Sequence, residues 1–335
     1  MKHFQNLSII GAGSWGTALA QAFSENFKNV YIWGRDIDTI ESINKHHENI
    51  RYLKGIKLRE NIFGLTDINE AFSKGDIIII AVPTQRVREV LEKVSLDIDK
   101  PVISASKGIE ISTLKLVSEI IKETLQLKEE NIFVLSGPSF AREVAQGLPT
   151  AVTLAGEENK VEELQSILNT QSFRLYISGD IIGVQIGGAV KNIIAIATGA
   201  SDGLGLGHNA RAGLITRGLY EMTKIAKLFG GKPETLYGLS GLGDLVLTAT
   251  GELSRNRTFG YLLGKGFSIE EAFKKVGQVV EGAKTVKAIK QLADKHKIEL
   301  PISEVVYNVI YNSLSPREAV KILMNRQPKK EYFGE

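Results

Sequence analysis

The chain has 335 residues, 43% of them hydrophobic, with 41 basic against 38 acidic side chains, a formal net charge of +3 and no cysteine. That length exceeds what one hydrophobic core usually serves, so two domains are expected; the scattered Lys and Arg argue against a nucleic-acid surface and for small anionic ligands met at local sites. Without cysteine there is no disulfide, thiolate metal site or thiol nucleophile, and because the five histidines include no H-x-x-x-H pair, no metal is expected.

The first element is the apolar run Leu7 to Ile10, followed by Gly11-Ala12-Gly13-Ser14-Trp15-Gly16 and the helical pattern Thr17 to Phe23. A strand, a glycine turn and a helix N-terminus in that order form a socket for pyrophosphate. Gly11 permits the tight turn, Gly13 removes a side chain where backbone must approach the phosphates, and Gly16 lets helix pack on strand. Only six residues precede Leu7, too few for a signal peptide, so export is not expected.

Further apolar runs follow at Val30 to Trp33, Ile77 to Val82, Val102 to Ser104 and Ile132 to Leu135, alternating with helical periodicity. Runs such as Ile77-Ile78-Ile79-Ile80 fit strands buried on both faces of a parallel sheet, and the alternation gives a doubly wound α/β domain. Thr150 to Leu154 and Phe173 to Ile177 extend the same sheet. From about Gly179 the strand signals give way to long helical patterns, Ile181 to Ala200 and then Ala212 to Phe229, so the second domain is expected to be all α. Ile181 to Ala200 is broken by Gln185, Lys191 and Asn192, which suits a buried helix rather than a membrane span. Gly203 to His208 and Gly238 to Asp244 are read as glycine-rich loops, and the tail Gln327 to Glu335 as disordered by composition.

Ligands of open α/β sheets bind beyond the carboxyl ends of the strands. Here those ends carry Pro83-Thr84-Gln85, Ser104-Ala105-Ser106-Lys107-Gly108 and Ser136-Gly137-Pro138-Ser139-Phe140-Ala141. Ser139 reads as the N-cap of a helix from Phe140, whereas Lys107 puts a cation at the ligand-facing edge. The second strand ends Trp33-Gly34-Arg35-Asp36, so either Asp36 holds the ribose hydroxyls or Arg35 pairs with a 2'-phosphate, which would admit NADP alongside NAD.

In the helical half, Lys191 sits inside an apolar helix one turn after Gly187 and Gly188, with Asn192 beside it. A snorkelling lysine is the ordinary explanation; a desolvated lysine that exchanges a proton with an alcohol is the sharper one. Ser254-Arg255-Asn256-Arg257 opens a helix with two cations in its first turn, where they oppose the dipole unless an anion binds there. Asp244 is balanced between a turn residue and a functional acid, and Glu281 between a first-turn acid and a ligand contact.

Taken together, these strings closely resemble the bacterial NAD(P)-dependent glycerol-3-phosphate dehydrogenase family. The likeness runs end to end, through Gly11 to Ala20, Ser106 to Glu110, Leu135 to Ala141, Val190-Lys191-Asn192, Gly241 to Leu245 and Ser254-Arg255-Asn256. It implies a Rossmann domain over residues 1–179 and an all-helical substrate domain over 180–335, similar to the C-terminal domain of 6-phosphogluconate dehydrogenase. It also implies reversible hydride transfer between NAD(P)H and dihydroxyacetone phosphate, giving sn-glycerol 3-phosphate for glycerophospholipid synthesis. On that likeness Ser14, Trp15, Arg35, Tyr52, Lys107, Ala141, Arg255, Val279 and Glu281 contact the cofactor, with Gly11, Gly13 and Gly16 forming its loop. Lys107, Gly137, Ser139, Lys191, Asp244, Ser254, Arg255 and Asn256 hold the substrate. Lys191 would be the proton acceptor, oriented by Asp244, with Lys107 stabilising charge on the reacting oxygen. The apolar, glycine-bearing helix Ile181 to Ala200 and the resemblance together imply a homodimer, while the composition and apolar pattern imply a cytoplasmic protein with no metal and no membrane or nucleic-acid partner. A β-hydroxyacid dehydrogenase of related architecture and a non-catalytic NAD(P)-sensing protein are the alternatives.

Overall fold

The structure is a computed structural model that describes residues 4–328, 330 and 331. It divides into two compact units, the first comprising Met1–Lys107 and Lys115–Val184, the second Gly108–Leu114 and Gln185–Glu335.

The first unit is built on an eight-stranded sheet: β1 (Asn6–Ile10), β2 (Asn29–Trp33), β3 (Ile62–Leu65), β4 (Ile77–Ile80), β5 (Val102–Ser104), β6 (Ile132–Ser136), β7 (Thr150–Ala155) and β8 (Phe173–Ser178). Their order is β3-β2-β1-β4-β5-β6-β7-β8. Neighbours are parallel except β6 and β7, and the first six follow the order of dinucleotide-binding sheets, whose switch point lies between β1 and β4. The connecting helices are α1 (Ser14–Phe23), α2 (Ile37–His46), α3 (Ile68–Lys74), α4 (Val87–Leu91), α5 (Val117–Leu125), α6 (Ala141–Ala145) and α7 (Glu158–Leu168).

The four isoleucines of β4 show how the pattern works. Ile77 and Ile79 join the core that contains Leu7, Ile9 and Phe133, while Ile78 and Ile80 join the opposite core with Ile10, Phe72 and Val102. A side-chain period of 2 puts alternate residues on opposite faces, so a strand covered on both sides must be apolar throughout.

β3 escaped the sequence reading. Phe63 is 40% exposed, and Gly64 interrupts an already short run. The strand is recruited by tertiary contacts: it takes the free edge of β2, pairing Val30 with Ile62 through Trp33 with Leu65, and Asn44 of α2 bonds both the N–H (2.7 Å) and the carbonyl (3.0 Å) of Gly64. Gly64 is needed because a Cβ there would sit 2.9 Å from Ile40 on that helix.

The second unit is helical: α8 (Ile181–Gly203, most of it in this unit), α9 (Gly207–Leu228), α10 (Asp244–Thr250), α11 (Arg255–Gly264), α12 (Ile269–Val276), α13 (Glu281–His296), α14 (Pro301–Tyr311) and α15 (Pro316–Met324). α8 is long and apolar enough to cross a membrane, but 83% of its most apolar window is buried inside the structure, as in a core helix. Its glycines explain how closely it is packed. A Cβ on Gly199 would lie 2.0 Å from the Arg257 carbonyl, and one on Gly260 2.0 Å from that of Ile196. Gly203 and Gly264 repeat the contact one turn along. α8 and α11 therefore meet backbone to backbone, and the small-residue face of α8 is spent within the chain. Of the tail expected to be disordered, residues 329 and 332–335 lie outside the described residues, and those described beyond Arg326 are in neither helix nor strand.

Candidate functional site

In the first unit the three loop glycines meet three different surroundings. Gly11 has φ +131°, and a Cβ on it would approach the Ala81 carbonyl oxygen to 2.6 Å, so neither its backbone angle nor its space admits a side chain. On Gly16 a Cβ would lie 1.9 Å from the Gly11 carbonyl oxygen, which is close packing of helix on loop. A Cβ on Gly13 would meet no atom within 4 Å. Packing does not require glycine there, whereas close approach of a diphosphate to backbone does. Gly13 is also the N-cap of α1, with no side-chain cap bond and no acid in the first turn, so the helix's leading N–H groups and positive dipole end are not offset by a local carboxylate. This cradle fits a dinucleotide.

Ser14 and Tyr52 come together: Ser14 Oγ donates to the Tyr52 carbonyl at 2.7 Å. Trp15 packs against the core below, and its buried Nε1 has no hydrogen-bond partner. Arg35 is exposed, with a 3.6 Å ion pair to Glu89. Asp36 is engaged within the protein: it caps α2 by accepting from Thr39 N (3.2 Å) and Thr39 Oγ1, and it pairs with Arg51 at 3.0 Å. These contacts hold its carboxyl below the usual range, the Thr39 hydroxyl contributing most.

Lys107, Gly137 and Ser139 also meet. The Gly137 carbonyl accepts from Lys107 Nζ (3.1 Å) and from Ser139 Oγ (3.0 Å). Ser139 is not the expected N-cap: Phe140 occupies that position of α6, without a side-chain cap bond. Ala141 is the first residue of α6. At the carboxyl ends of β5 and β6 and just beyond β4, the buried hydroxyls of Ser104, Ser136 and Thr84 have no hydrogen-bond partner, a polar feature that the sequence patterns did not single out.

In the second unit Lys191 is 7% exposed and Asp244 fully buried. Lys191 Nζ donates to Asp244 Oδ1 and, at 2.8 Å, to Thr248 Oγ1. A buried ammonium is tolerated when an anion and further acceptors satisfy it, and removal of one partner of such a pair costs about 3–5 kcal/mol. The snorkelling explanation thus fails, since the amine points inward. Gly187 provides the room: a Cβ on it would lie 2.3 Å from the Ser240 carbonyl oxygen, so it admits backbone.

The segment Gly238 to Asp244 is not the loop expected from its glycines. Leu239–Gly243 forms a π-helical turn running directly into α10, with Gly241 pressed on Leu236, whose carbonyl oxygen would lie 2.1 Å from a Cβ there. Here glycine serves dense packing, and the widened turn sets the register in which Asp244 faces Lys191. Thr248, absent from the sequence candidates, follows Asp244 by one helical turn, a spacing that would have marked it.

α11 begins as expected, Ser254 Oγ accepting from Arg257 N at 3.2 Å. The two first-turn arginines, however, differ. Asp202 receives Arg257 at 2.7 Å and Arg211 at 2.7 Å, so Arg257 has a carboxylate partner within the fold and the case for an external anion falls to Arg255. Arg255 is exposed and donates to Gln278 Oε1 at 3.2 Å, which joins it to the segment holding Val279 and Glu281. Val279 is 47% exposed, and Glu281 is the first residue of α13. Asn256 links two more elements: its Nδ2 donates to Asn192 Oδ1 and its Oδ1 accepts from Gly282 N, each at 2.9 Å. Among the described residues no group of three or more His, Asp or Glu could hold a metal.

With the site in view, comparison with known proteins decides the family. A family model described as the N-terminus of NAD-dependent glycerol-3-phosphate dehydrogenase matches residues 6–162, and its C-terminal counterpart matches residues 180–321. The chain belongs to that family. Glycerol-3-phosphate dehydrogenase [NAD(P)+] of Myxococcus xanthus is 46% identical over 331 residues, covering 98% of this chain and 99% of the relative. The Bacillus licheniformis enzyme of the same name is 46% identical, covering 96% of this chain and 94% of the relative. Among solved structures, a Coxiella burnetii glycerol-3-phosphate dehydrogenase is similar with a TM-score of 0.92 and 41% identity, over 96% of this chain and 99% of that one. The N- and C-terminal family matches fall on the sheet-based and helical parts respectively.

Proposed function

We propose that this glycerol-3-phosphate dehydrogenase family member reversibly reduces dihydroxyacetone phosphate to sn-glycerol 3-phosphate with NADH or NADPH, supplying glycerophospholipid synthesis. The observation that carries this reading is full-length similarity to relatives of that name, and the buried Lys191–Asp244 pair gives it chemistry.

When bound, the nicotinamide cofactor supplies or accepts the hydride. Gly11, Gly13 and Gly16 shape its diphosphate socket; Ser14, Trp15, Arg35, Tyr52, Lys107, Ala141, Arg255, Val279 and Glu281 are the residues we assign to it. Lys191 Nζ, fixed by Asp244 and Thr248, hands its proton to the carbonyl oxygen during reduction and takes it from the hydroxyl during oxidation. A cation at that oxygen stabilises the charge that develops as hydride arrives at the carbon, and Lys107 adds a second. Gly137, Ser139, Ser254, Arg255 and Asn256 hold the rest of the substrate, with the phosphate at the start of α11, where Arg255 and the helix N–H groups are available. We assign residues 1–179 mainly to the cofactor and 180–335 mainly to the substrate, with Lys107, Gly137 and Ser139 serving the substrate from the first and Arg255, Val279 and Glu281 serving the cofactor from the second.

We further infer a cytoplasmic homodimer without nucleic-acid or membrane partners. The scattered charge and the buried α8 support the absence of those partners. The dimer rests on family likeness alone, because the glycine face of α8 is used against α11.

Initial rates with NADH and with NADPH, on dihydroxyacetone phosphate and separately on 3-hydroxyisobutyrate with oxidised cofactor, test the whole reading. Turnover of the ketone phosphate is expected. Turnover of the hydroxyacid alone would point to a β-hydroxyacid dehydrogenase, and turnover of neither to a sensor.

A further inference from the structure

The glycine loop is held from outside by a side chain that no motif marks. Asn49 is fully buried and lies in the stretch after α2, outside any helix or strand. Its Nδ2 donates to the Ala12 carbonyl at 2.9 Å and to Thr17 Oγ1 at 2.8 Å, and its Oδ1 accepts from Tyr52 N at 3.1 Å. The Tyr52 bond fixes which end of the amide is which: an N–H must meet oxygen, so the NH₂ group necessarily faces the loop. Ser14 Oγ closes a second tether onto the Tyr52 carbonyl at 2.7 Å. The turn carrying Asn49 and Tyr52 is therefore laced to both ends of Ala12-Gly13-Ser14, with Thr17 one turn further on.

The consequence follows from peptide geometry. Ala12 O and Gly13 N–H belong to one planar trans unit and point in opposite directions. With the carbonyl drawn toward Asn49, the Gly13 N–H is turned to the other side of the loop. Gly13 has no side chain to hold this plane, and its backbone is free to adopt other angles. Rotation of the unit would present a carbonyl oxygen, a partial negative charge, where an anion has to bind. The orphan cost of leaving Ala12 O without its buried donor opposes that rotation only while Asn49 is in place.

We propose that Asn49 is a positioning residue that locks the Ala12–Gly13 peptide in the orientation that receives the cofactor diphosphate. The inference rests on the dinucleotide reading of this loop, and it assigns the diphosphate affinity of the chain in part to a residue that does not itself touch the ligand.

The test compares full-length wild type with Asn49→Ala. Equilibrium binding is measured for NADH, for ADP-ribose, which keeps the diphosphate, and for adenosine, which lacks it; kcat, both KM values and the ligand-free melting temperature accompany them. Asn49→Ala is expected to weaken NADH and ADP-ribose about tenfold or more, to leave adenosine within about twofold, and to raise the KM for cofactor while kcat and the KM for dihydroxyacetone phosphate stay within about twofold. A lowered melting temperature with unchanged ADP-ribose affinity would make Asn49 merely structural and overturn the proposal. Should Asn49→Ala not fold, Thr17→Val removes one of the two acceptors that hold the amide. A rise of about threefold in the ADP-ribose dissociation constant is then expected, and no change overturns the assignment. Wild type that binds neither NADH nor ADP-ribose overturns the dinucleotide reading itself, whereas wild type that binds both, with Asn49→Ala matching it, removes Asn49 alone.

Discussion

The two units handle buried polarity in opposite ways. Among the described residues of the sheet-based unit, the one charged side chain that is buried is Asp180, and its Oδ1 accepts from Gly183 N at 2.9 Å at the start of α8. The helical unit buries Glu110, Lys191, Glu221 and Asp244, and ties its helices together through such groups: Lys191 of α8 to Asp244 of α10, and Glu221 of α9 to the N–H groups of Ile302 (2.6 Å) and Ser303 (3.0 Å) in α14. In a sheet the ladder satisfies the backbone across elements, so function can be assigned to backbone exposed at strand ends. Helices satisfy most of their own backbone internally, so the hydrogen bonds named here that join one helix to another each need a side chain at one end. On the proposed function, the first unit presents the α1 N–H groups to the cofactor diphosphate, and the second presents the Lys191 amine, held by Asp244, to the substrate.

The largest effect expected from this contrast is at the ammonium. Lys191→Ala should lower kcat by about a hundredfold to ten-thousandfold while NADH still binds, as a fluorescence titration would show; near-normal turnover would take the proton-transfer role from Lys191. Asp244→Asn should lose comparable activity and also stability, about 3–5 kcal/mol by urea unfolding, because it leaves the buried amine without its anion.

Next come the glycines. Gly13→Ala should raise the cofactor KM about tenfold, or 1.4 kcal/mol, with little change in melting temperature, since its Cβ meets nothing in the protein. Gly11→Ala should lose both, because φ +131° and the 2.6 Å approach to Ala81 forbid the methyl group. Equal losses of stability in the two variants would break the distinction between packing and ligand glycines.

Arg255→Ala should raise the KM for glycerol 3-phosphate, a charged hydrogen bond being worth about 1.5–3 kcal/mol, whereas Arg257→Ala should act mainly on stability through Asp202. Reversal of that pattern in steady-state kinetics and thermal melts would exchange their roles.

The smallest effect is a pH dependence of stability. Burial pushes the Glu221 carboxyl upward, against the hydrogen bonds from Ile302 and Ser303 that pull it down. A raised carboxyl contributes stability that is fully present below its unfolded pKa, about 4.3, and lost as pH rises through the folded value. The melting temperature should therefore decline by a few degrees over that window, and Glu221→Gln should flatten the slope. An unchanged slope would mean that other groups set it.

Particular residues show what could be read in advance. The isoleucines of β4 and the spacing of Gly11, Gly13 and Gly16 were legible because their meaning is local: a strand covered on both faces is apolar throughout, and a diphosphate socket fits within six residues. β3 was not legible, since its pairing comes from the free edge of β2. Gly238 to Asp244 misled because a glycine serves a turn and a close helical contact equally well. Arg255 and Arg257 looked alike until Asp202, distant in sequence, was seen to claim one of them. Ser139 showed the cap chemistry of a helix start, but the Gly137 carbonyl offered its hydroxyl a partner two residues back.

The amino-acid sequence by itself determined the doubly wound sheet, the switch to helices, the glycine socket and, through long ordered motifs, the family, because each is written in periodicity or in contiguous strings. Tertiary structure decided which polar side chains have partners. Lys191 became a buried, held amine when Asp244 and Thr248 closed on it, Asp36 was found capping α2, and Asn49 was found bonded to the loop. Such assignments depend on atoms from separate elements meeting within about 3 Å, and only the packed fold specifies that proximity.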